Sequence, residues 1–219
     1  MSNMPEPAAA ARPSVLDVVP VMPVVIVEQV AEAVPIAQAL AAGGLPAIEL
    51  TLRTPVALDA IRAITAEVPE ILVGAGTVTD PAQADEAADA GAQFLVSPGA
   101  TPALLTSMAD TGLPYLPGTA TASEVMAVLE TGVTEMKFFP AEAAGGAAYL
   151  KSIASPLPHA RFCPTGGITA ETAPHYLALR NVGCVGGSWL TPADAVASRD
   201  WDRIESLARE AATLRSTTV

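Results

Sequence analysis

Two lysines occur in the 219-residue chain, Lys137 and Lys151, and the first stands where a lysine is hard to keep. Lys137 lies in Glu135-Met136-Lys137-Phe138-Phe139-Pro140, an apolar stretch of strand character. An ammonium is costly to bury unless it is paired or loses its proton. Burial in general favours the uncharged amine, and an uncharged amine is a nucleophile able to condense with a ketone to a Schiff base. The alternative is an ion-paired lysine that only props the structure. Lys151 falls in an Ala-rich helical stretch and reads as a solvated helix lysine.

Glu49, Thr51 and Arg53 alternate with Ile48, Leu50 and Leu52, so on a strand the three polar side chains share one face. An inward carboxylate and guanidinium would supply a proton carrier and a clamp for a substrate carboxylate. The alternative is a Glu–Arg ion pair serving structure alone. Thr165-Gly166-Gly167 and Gly186-Gly187-Ser188 form a third signal. Glycine lets backbone N–H groups approach phosphate oxygens closely, and Thr165 and Ser188 could add hydroxyl donors; each Gly-Gly taken alone is also a tight turn. Gly74-Ala75-Gly76-Thr77 and Ser97-Pro98-Gly99 add small residues that leave room for a substrate. Thr77 could bind a keto-acid carboxylate or merely serve its turn. His159 and His175, the only histidines, show no ligand spacing, so no metal is expected. Cys163 and Cys184 read as buried inert thiols. With no dinucleotide fingerprint and no Walker loop, no cofactor is expected.

Elements must hold these groups together. Short apolar runs at 21–27, 47–52, 71–74, 94–97, 115–116, 136–139, 161–164 and 184–186 predict eight strands, spaced about 21–26 residues apart. Helices are predicted at 28–42, 55–67, 81–90, 101–110, 121–131, 145–154, 170–180 and 200–215, with stop signals at Gly43-Gly44, Gly91, Gly112 and Gly132. Asp80-Pro81 and Thr101-Pro102 each put a capping side chain before a proline at the first helical position. Eight βα units in this length predict one α/β domain, a closed (β/α)₈ TIM barrel over 13–219, with a short helix at 13–18 and a flexible tail at 1–12. An open doubly wound sheet is the runner-up, but the first strand–helix junction carries no glycine. In such a barrel catalytic groups sit at the C-terminal ends of strands, where the signals above cluster.

Composition narrows the partners. The chain is 51% hydrophobic and 16% charged, enough for a sizeable core. A net charge of -12 without any basic run argues against nucleic acid, and an acidic protein that takes an anion must build a local site of opposite polarity. Every long apolar stretch is broken by Pro, Gly or charge before about 18 residues, so no membrane span is expected. The first 20 residues lack a basic region, so no signal peptide is read and the cytoplasm is the expected location.

Six segments in order then make a pattern: 49–54 (ELTLRT), 73–78 (VGAGTV), 97–99 (SPG), 137–142 (KFFPAE), 161–168 (RFCPTGGI) and 186–190 (GGSWL). On these the chain resembles the 2-keto-3-deoxy-6-phosphogluconate (KDPG) and 4-hydroxy-2-oxoglutarate (KHG) aldolases, class I Schiff-base enzymes, across residues 18–207. The resemblance implies Lys137 as the Schiff-base lysine and Glu49 as the general acid/base. It implies Arg53 and Thr77 as carboxylate and pyruvate holders, with Pro98 and Phe139 lining the pocket, and Gly166, Gly167, Gly187 and Ser188 as the phosphate site. Thr165 would read a substrate hydroxyl. It further implies a small-molecule 2-keto acid phosphate as substrate, an Entner–Doudoroff role and a homotrimer. The loops 117–121 (PGTAT) and 143–146 (AAGG) depart from the family pattern without touching a core catalytic position. Same-chemistry alternatives are KHG or the 6-phosphogalactonate epimer; a different class is a phosphate-binding barrel without aldolase activity.

Overall fold

The structure is a computed structural model that describes residues 14–214. The expected tail at 1–12 lies outside the described residues. A 3₁₀ turn at Val15–Asp17 stands where a short helix was expected. Strands follow at Val21–Val25 (β1), Ala47–Thr51 (β2), Leu72–Gly76 (β3), Phe94–Val96 (β4), Tyr115–Leu116 (β5), Gly118–Thr119 (β6), Glu135–Phe138 (β7), Arg161–Pro164 (β8) and Val185–Gly187 (β9).

Every strand pair is parallel, and the pairings run in chain order from β1 to β5 and from β6 to β8. β9 returns to pair with β1. Only Pro117 separates β5 from β6, and a proline has no N–H to give a ladder. The two pieces are thus one staggered strand, whose first half pairs with β4 and whose second half pairs with β7. Bridges Phe162↔Val182 and Thr165↔Gly186 join the β8 and β9 segments and close the ring. The result is the expected eight-position (β/α)₈ barrel in a single domain.

The helices are Val30–Ala42 (α1), Ala57–Glu67 (α2), Pro81–Asp89 (α3), Pro102–Asp110 (α4), Ala122–Glu130 (α5), Gly146–Ile153 (α6), Ala173–Leu177 (α7), Ala193–Ser198 (α8) and Trp201–Ala212 (α9). None is long and apolar enough to cross a membrane. The caps read from sequence are present. Asp80 accepts from the Gln83 N–H and Thr101 from the Leu104 N–H, each ahead of a proline. Gly91 and Gly132 follow α3 and α5 in the left-handed conformation, with φ of 95° and 86°.

Three boundaries differ from expectation for local reasons. The helix expected at 170–180 is only α7, because Thr169 and Thr172 hydrogen-bond each other's backbone through their hydroxyls and so compete with a helical start there. Helix α8 had no counterpart in the sequence reading. Arg199 takes φ 58° after it, and Asp200 caps the Arg203 N–H to begin α9 anew. Strand β2 ends at Thr51, so Arg53 lies past the strand rather than on its face.

The inward layer alternates large and small side chains. Register aligns Val24, Glu49, Gly74 and Phe94 across four strands, and a Cβ on Gly74 would lie 2.2 Å from the Phe94 ring. Outside the ring, Phe138 packs edge-on to Phe162 at 6.3 Å and stacks on Tyr149 of α6 at 5.5 Å. At the N-terminal end of the barrel, Arg161 at the head of β8 bridges Asp17 and Glu135, and Ser14 donates to Glu135. These contacts tie the 3₁₀ turn across the barrel floor, with Leu16 fully buried.

Candidate active site

Lys137 is on β7 and Glu49 on β2. In the eight-position ring these strands stand opposite one another, so their side chains can meet only by crossing the lumen. They do meet: Nζ of Lys137 lies 3.0 Å from Oε1 of Glu49, with side chains 3% and 2% exposed. Glu49 therefore pairs with Lys137, and the expected structural Glu49–Arg53 pair is not among the ion pairs of the described residues. A buried pair of this kind costs desolvation on both sides and is weak evidence for stability.

The neighbours make room for this pair. A Cβ on Gly76 would sit 2.3 Å from Oε1 of Glu49, so only glycine lets the carboxylate lie against β3. The Phe139 ring centroid is 5.3 Å from Nζ of Lys137, within cation–π range. Gly118 is the register partner of Lys137 and packs against the Pro98 carbonyl; Ser97, fully buried, accepts from the Gly118 N–H and donates to the Gly99 carbonyl. Pro98 is thereby held beside the lysine strand.

Arg53 and Thr77 are brought together. Nε of Arg53 donates to Oγ1 of Thr77 at 3.1 Å. Thr77 directly follows Gly76 at the C-terminal end of β3 and holds φ 60°. A β-branched residue in the left-handed region is strained, and such strain concentrates at functional sites. Thr51 takes no part in the pair, because its hydroxyl donates to the Val25 carbonyl.

The two glycine loops are adjacent through the Thr165↔Gly186 bridge, and a Cβ on Gly186 would lie 2.1 Å from Oγ1 of Thr165. Gly166 and Gly167 take φ of 105° and 80°. The Thr165 and Gly166 carbonyls accept from the Ala141 and Glu142 N–H groups, whereas the Gly166 and Gly167 N–H groups donate to no other backbone group of the described residues. Gly187 ends β9 beneath the Trp189 ring and Ser188 is exposed. Cys163, the register partner of Lys137, faces the same side of the sheet, with its Sγ 3.8 Å from Oγ1 of Thr165. Cys163 and Cys184 are both free and buried.

One contact here was not read from the sequence. The Tyr176 hydroxyl of α7 donates to Oε1 of Glu142 at 2.6 Å. Burial, and then the hydrogen bond and charge of Glu142, push the phenol's pKa well above its ordinary value, so it stays a proton donor at neutral pH. The signal available was a lone carboxylate two residues past Phe139-Pro140; its partner, 34 residues on, is visible only in three dimensions.

Comparison with known proteins identifies the family. The family model described as KDPG and KHG aldolase matches residues 13–207. The KHG/KDPG aldolase of Escherichia coli is 54% identical over 198 residues, covering 90% of this chain and 93% of that protein. The crystal structure of KDPG aldolase from Legionella pneumophila, with pyruvate captured as a covalent carbinolamine, superposes with a TM-score of 0.88 at 43% identity, covering 90% of this chain and 96% of that one. The Zymomonas mobilis KDPG aldolase with 3-phosphoglycerate gives a TM-score of 0.85 at 49% identity over 91% and 93% of the two chains. The chain belongs to the KDPG and KHG aldolase family.

Proposed function

We infer that this chain is a class I aldolase that cleaves 2-dehydro-3-deoxy-6-phosphogluconate to pyruvate and glyceraldehyde 3-phosphate through a Schiff base on Lys137. The observation that carries the reading is the buried Lys137–Glu49 contact across the lumen. Proton transfer along that 3.0 Å contact gives a neutral amine and a neutral carboxyl. The amine adds to the C2 ketone to form a carbinolamine, and loss of water gives the iminium. Glu49, again a carboxylate, removes the C4 hydroxyl proton directly or through one water. The C3–C4 electron pair moves into the iminium, the aldehyde leaves, and an enamine of pyruvate remains. Glu49 returns its proton to C3, and water then hydrolyses the iminium to release pyruvate and the free lysine.

Arg53 and Thr77, already joined, take the substrate carboxylate; Pro98 and Phe139 line the three-carbon pocket. The amides of Gly166, Gly167 and Gly187 with the Ser188 hydroxyl take the phosphate, and Thr165 reads the C4 hydroxyl. Holding both ends fixes the scissile bond between the lysine and the carboxylate. The Legionella neighbour supports the first step, since a carbinolamine is an adduct of an amine and a carbonyl. The 3-phosphoglycerate in the Zymomonas neighbour supports an acid-plus-phosphate ligand.

Sodium borohydride with pyruvate should add one reduced pyruvyl group to the peptide carrying Lys137. An unchanged mass, or an adduct on Lys151 alone, would remove the lysine from this role. The E. coli relative's name spans KHG as well as KDPG. The carboxylate holders Arg53 and Thr77 follow β2 and β3, apart from the glycine loops after β8 and β9, so turnover of unphosphorylated KHG with a higher KM is part of the same reading. The reading carries with it a homotrimer working in the cytoplasm on an Entner–Doudoroff substrate, with residues 13–219 as one folding unit.

A further inference from the structure

The Glu142–Tyr176 contact joins the loop that follows β7 to helix α7, and it lies beside the Gly166-Gly167 turn. Three observations tie it to that turn. The Glu142 N–H donates to the Gly166 carbonyl at 3.1 Å, and the Ala141 N–H to the Thr165 carbonyl at 2.8 Å. The Glu142 stem presses on Gly167, where an added Cβ would lie 2.8 Å from its Cγ. Gly146, at the start of α6, gives way to the pair, since its Cβ would approach the Tyr176 hydroxyl at 3.2 Å. The turn's carbonyls are thereby drawn toward the β7 loop while its N–H groups stay unused by other described backbone groups. A carboxylate beside an anion site would ordinarily oppose binding; here one of its oxygens is engaged by a phenol kept protonated by burial and by that carboxylate.

We propose that Glu142 and Tyr176 are positioning residues for the phosphate end of the substrate: their hydrogen bond sets the aim of the Gly166 and Gly167 amides. They touch none of the reacting atoms. The inference rests on the reading of the glycine loops as the phosphate site, and it adds a device that lets the chain distinguish phosphorylated from unphosphorylated 2-keto acids.

The test is a two-substrate comparison on Tyr176→Phe, Glu142→Ala and Glu142→Gln. Tyr176→Phe keeps the buried ring, and the oxygen it releases belongs to a solvent-exposed Glu142, so the fold tolerates it. With KDPG, Tyr176→Phe and Glu142→Ala should raise KM about five- to tenfold with kcat within about twofold, the effect of one charge-assisted hydrogen bond. With KHG, KM and kcat should stay within about twofold of the parent, and the rate of pyruvate trapping should not change. Glu142→Gln retains an acceptor for the phenol and should restore the KDPG KM to the parent value or below. An unchanged KDPG KM in Tyr176→Phe, or equal losses on both substrates, overturns the proposal. If instead the parent enzyme shows no preference for KDPG over KHG and no competition by inorganic phosphate, the phosphate-site reading itself has failed.

Discussion

At the C-terminal end of β3 the decisive property of Gly76 is what it lacks. A methyl group there would occupy the place of the Glu49 carboxylate. Gly76→Ala should leave every polar group of the site in the chain and still lower kcat by about ten- to a hundredfold, the usual penalty for displacing a catalytic group by an ångström. Steady-state kinetics with a melting curve would check this, and parent-like kcat would show that the carboxylate need not lie against β3. Glu49→Gln makes the complementary point. The variant should still trap pyruvate on Lys137, yet turn over at least about a hundredfold more slowly, because an amide cannot carry the proton. Near-normal turnover would remove Glu49 from the mechanism. Lys137 was legible in the sequence because lysine is so rare in this chain and that segment so apolar. Arg53 was placed on the strand face by simple alternation, which cannot report that the ladder stops at Thr51. The left-handed backbone of Thr77 was not legible at all, since threonine is a poor predictor of positive φ.

Eight βα units were readable because the apolar runs recur at even spacing and several helices carry local punctuation, most fully α3 and α4, each with a capping side chain, a proline at the start and a glycine past the end. The split of the fifth position into β5 and β6 shows the limit of that reading. Pro117 interrupts the ladder, yet Gly118 and Thr119 resume it against β7, a pairing set by the ring and not by local propensity. Gly118 is the joint of this element, because a Cβ there would lie 2.2 Å from the Pro98 carbonyl carbon, a backbone atom unable to step aside. Gly118→Ala should therefore cost about 1–3 kcal/mol of stability and also shift pyruvate binding, because Pro98 and Lys137 flank the same residue. Chemical denaturation and the KM for pyruvate exchange would measure the two effects; a loss of neither would mean that the loop after β4 is free to move. Helix α8 was missed for a similar reason, being short and set off by the turn at Arg199 and the new cap at Asp200.

Across the molecule the two ends of the barrel divide the labour. The floor, closed by Arg161 with Asp17 and Glu135, lies at the strand starts, and the candidate site opens toward the strand ends, where Thr77 and the glycine loops follow β3, β8 and β9. Arg161→Ala should lower Tm by about 2–4 °C, since a partly exposed ion-pair network is worth about 1 kcal/mol after solvent screening, and should leave kcat/KM unchanged. A kinetic effect would couple the floor to the site. The diametric Lys137–Glu49 contact has one more consequence for a buried site. Before attack, the two groups are cation with anion, or both neutral; as iminium with carboxylate they are again cation with anion; as enamine with carboxylic acid both are neutral. Their summed charge is zero at every stage of the proposed cycle. A low-dielectric interior is thus never asked to solvate an isolated ion from its own side chains.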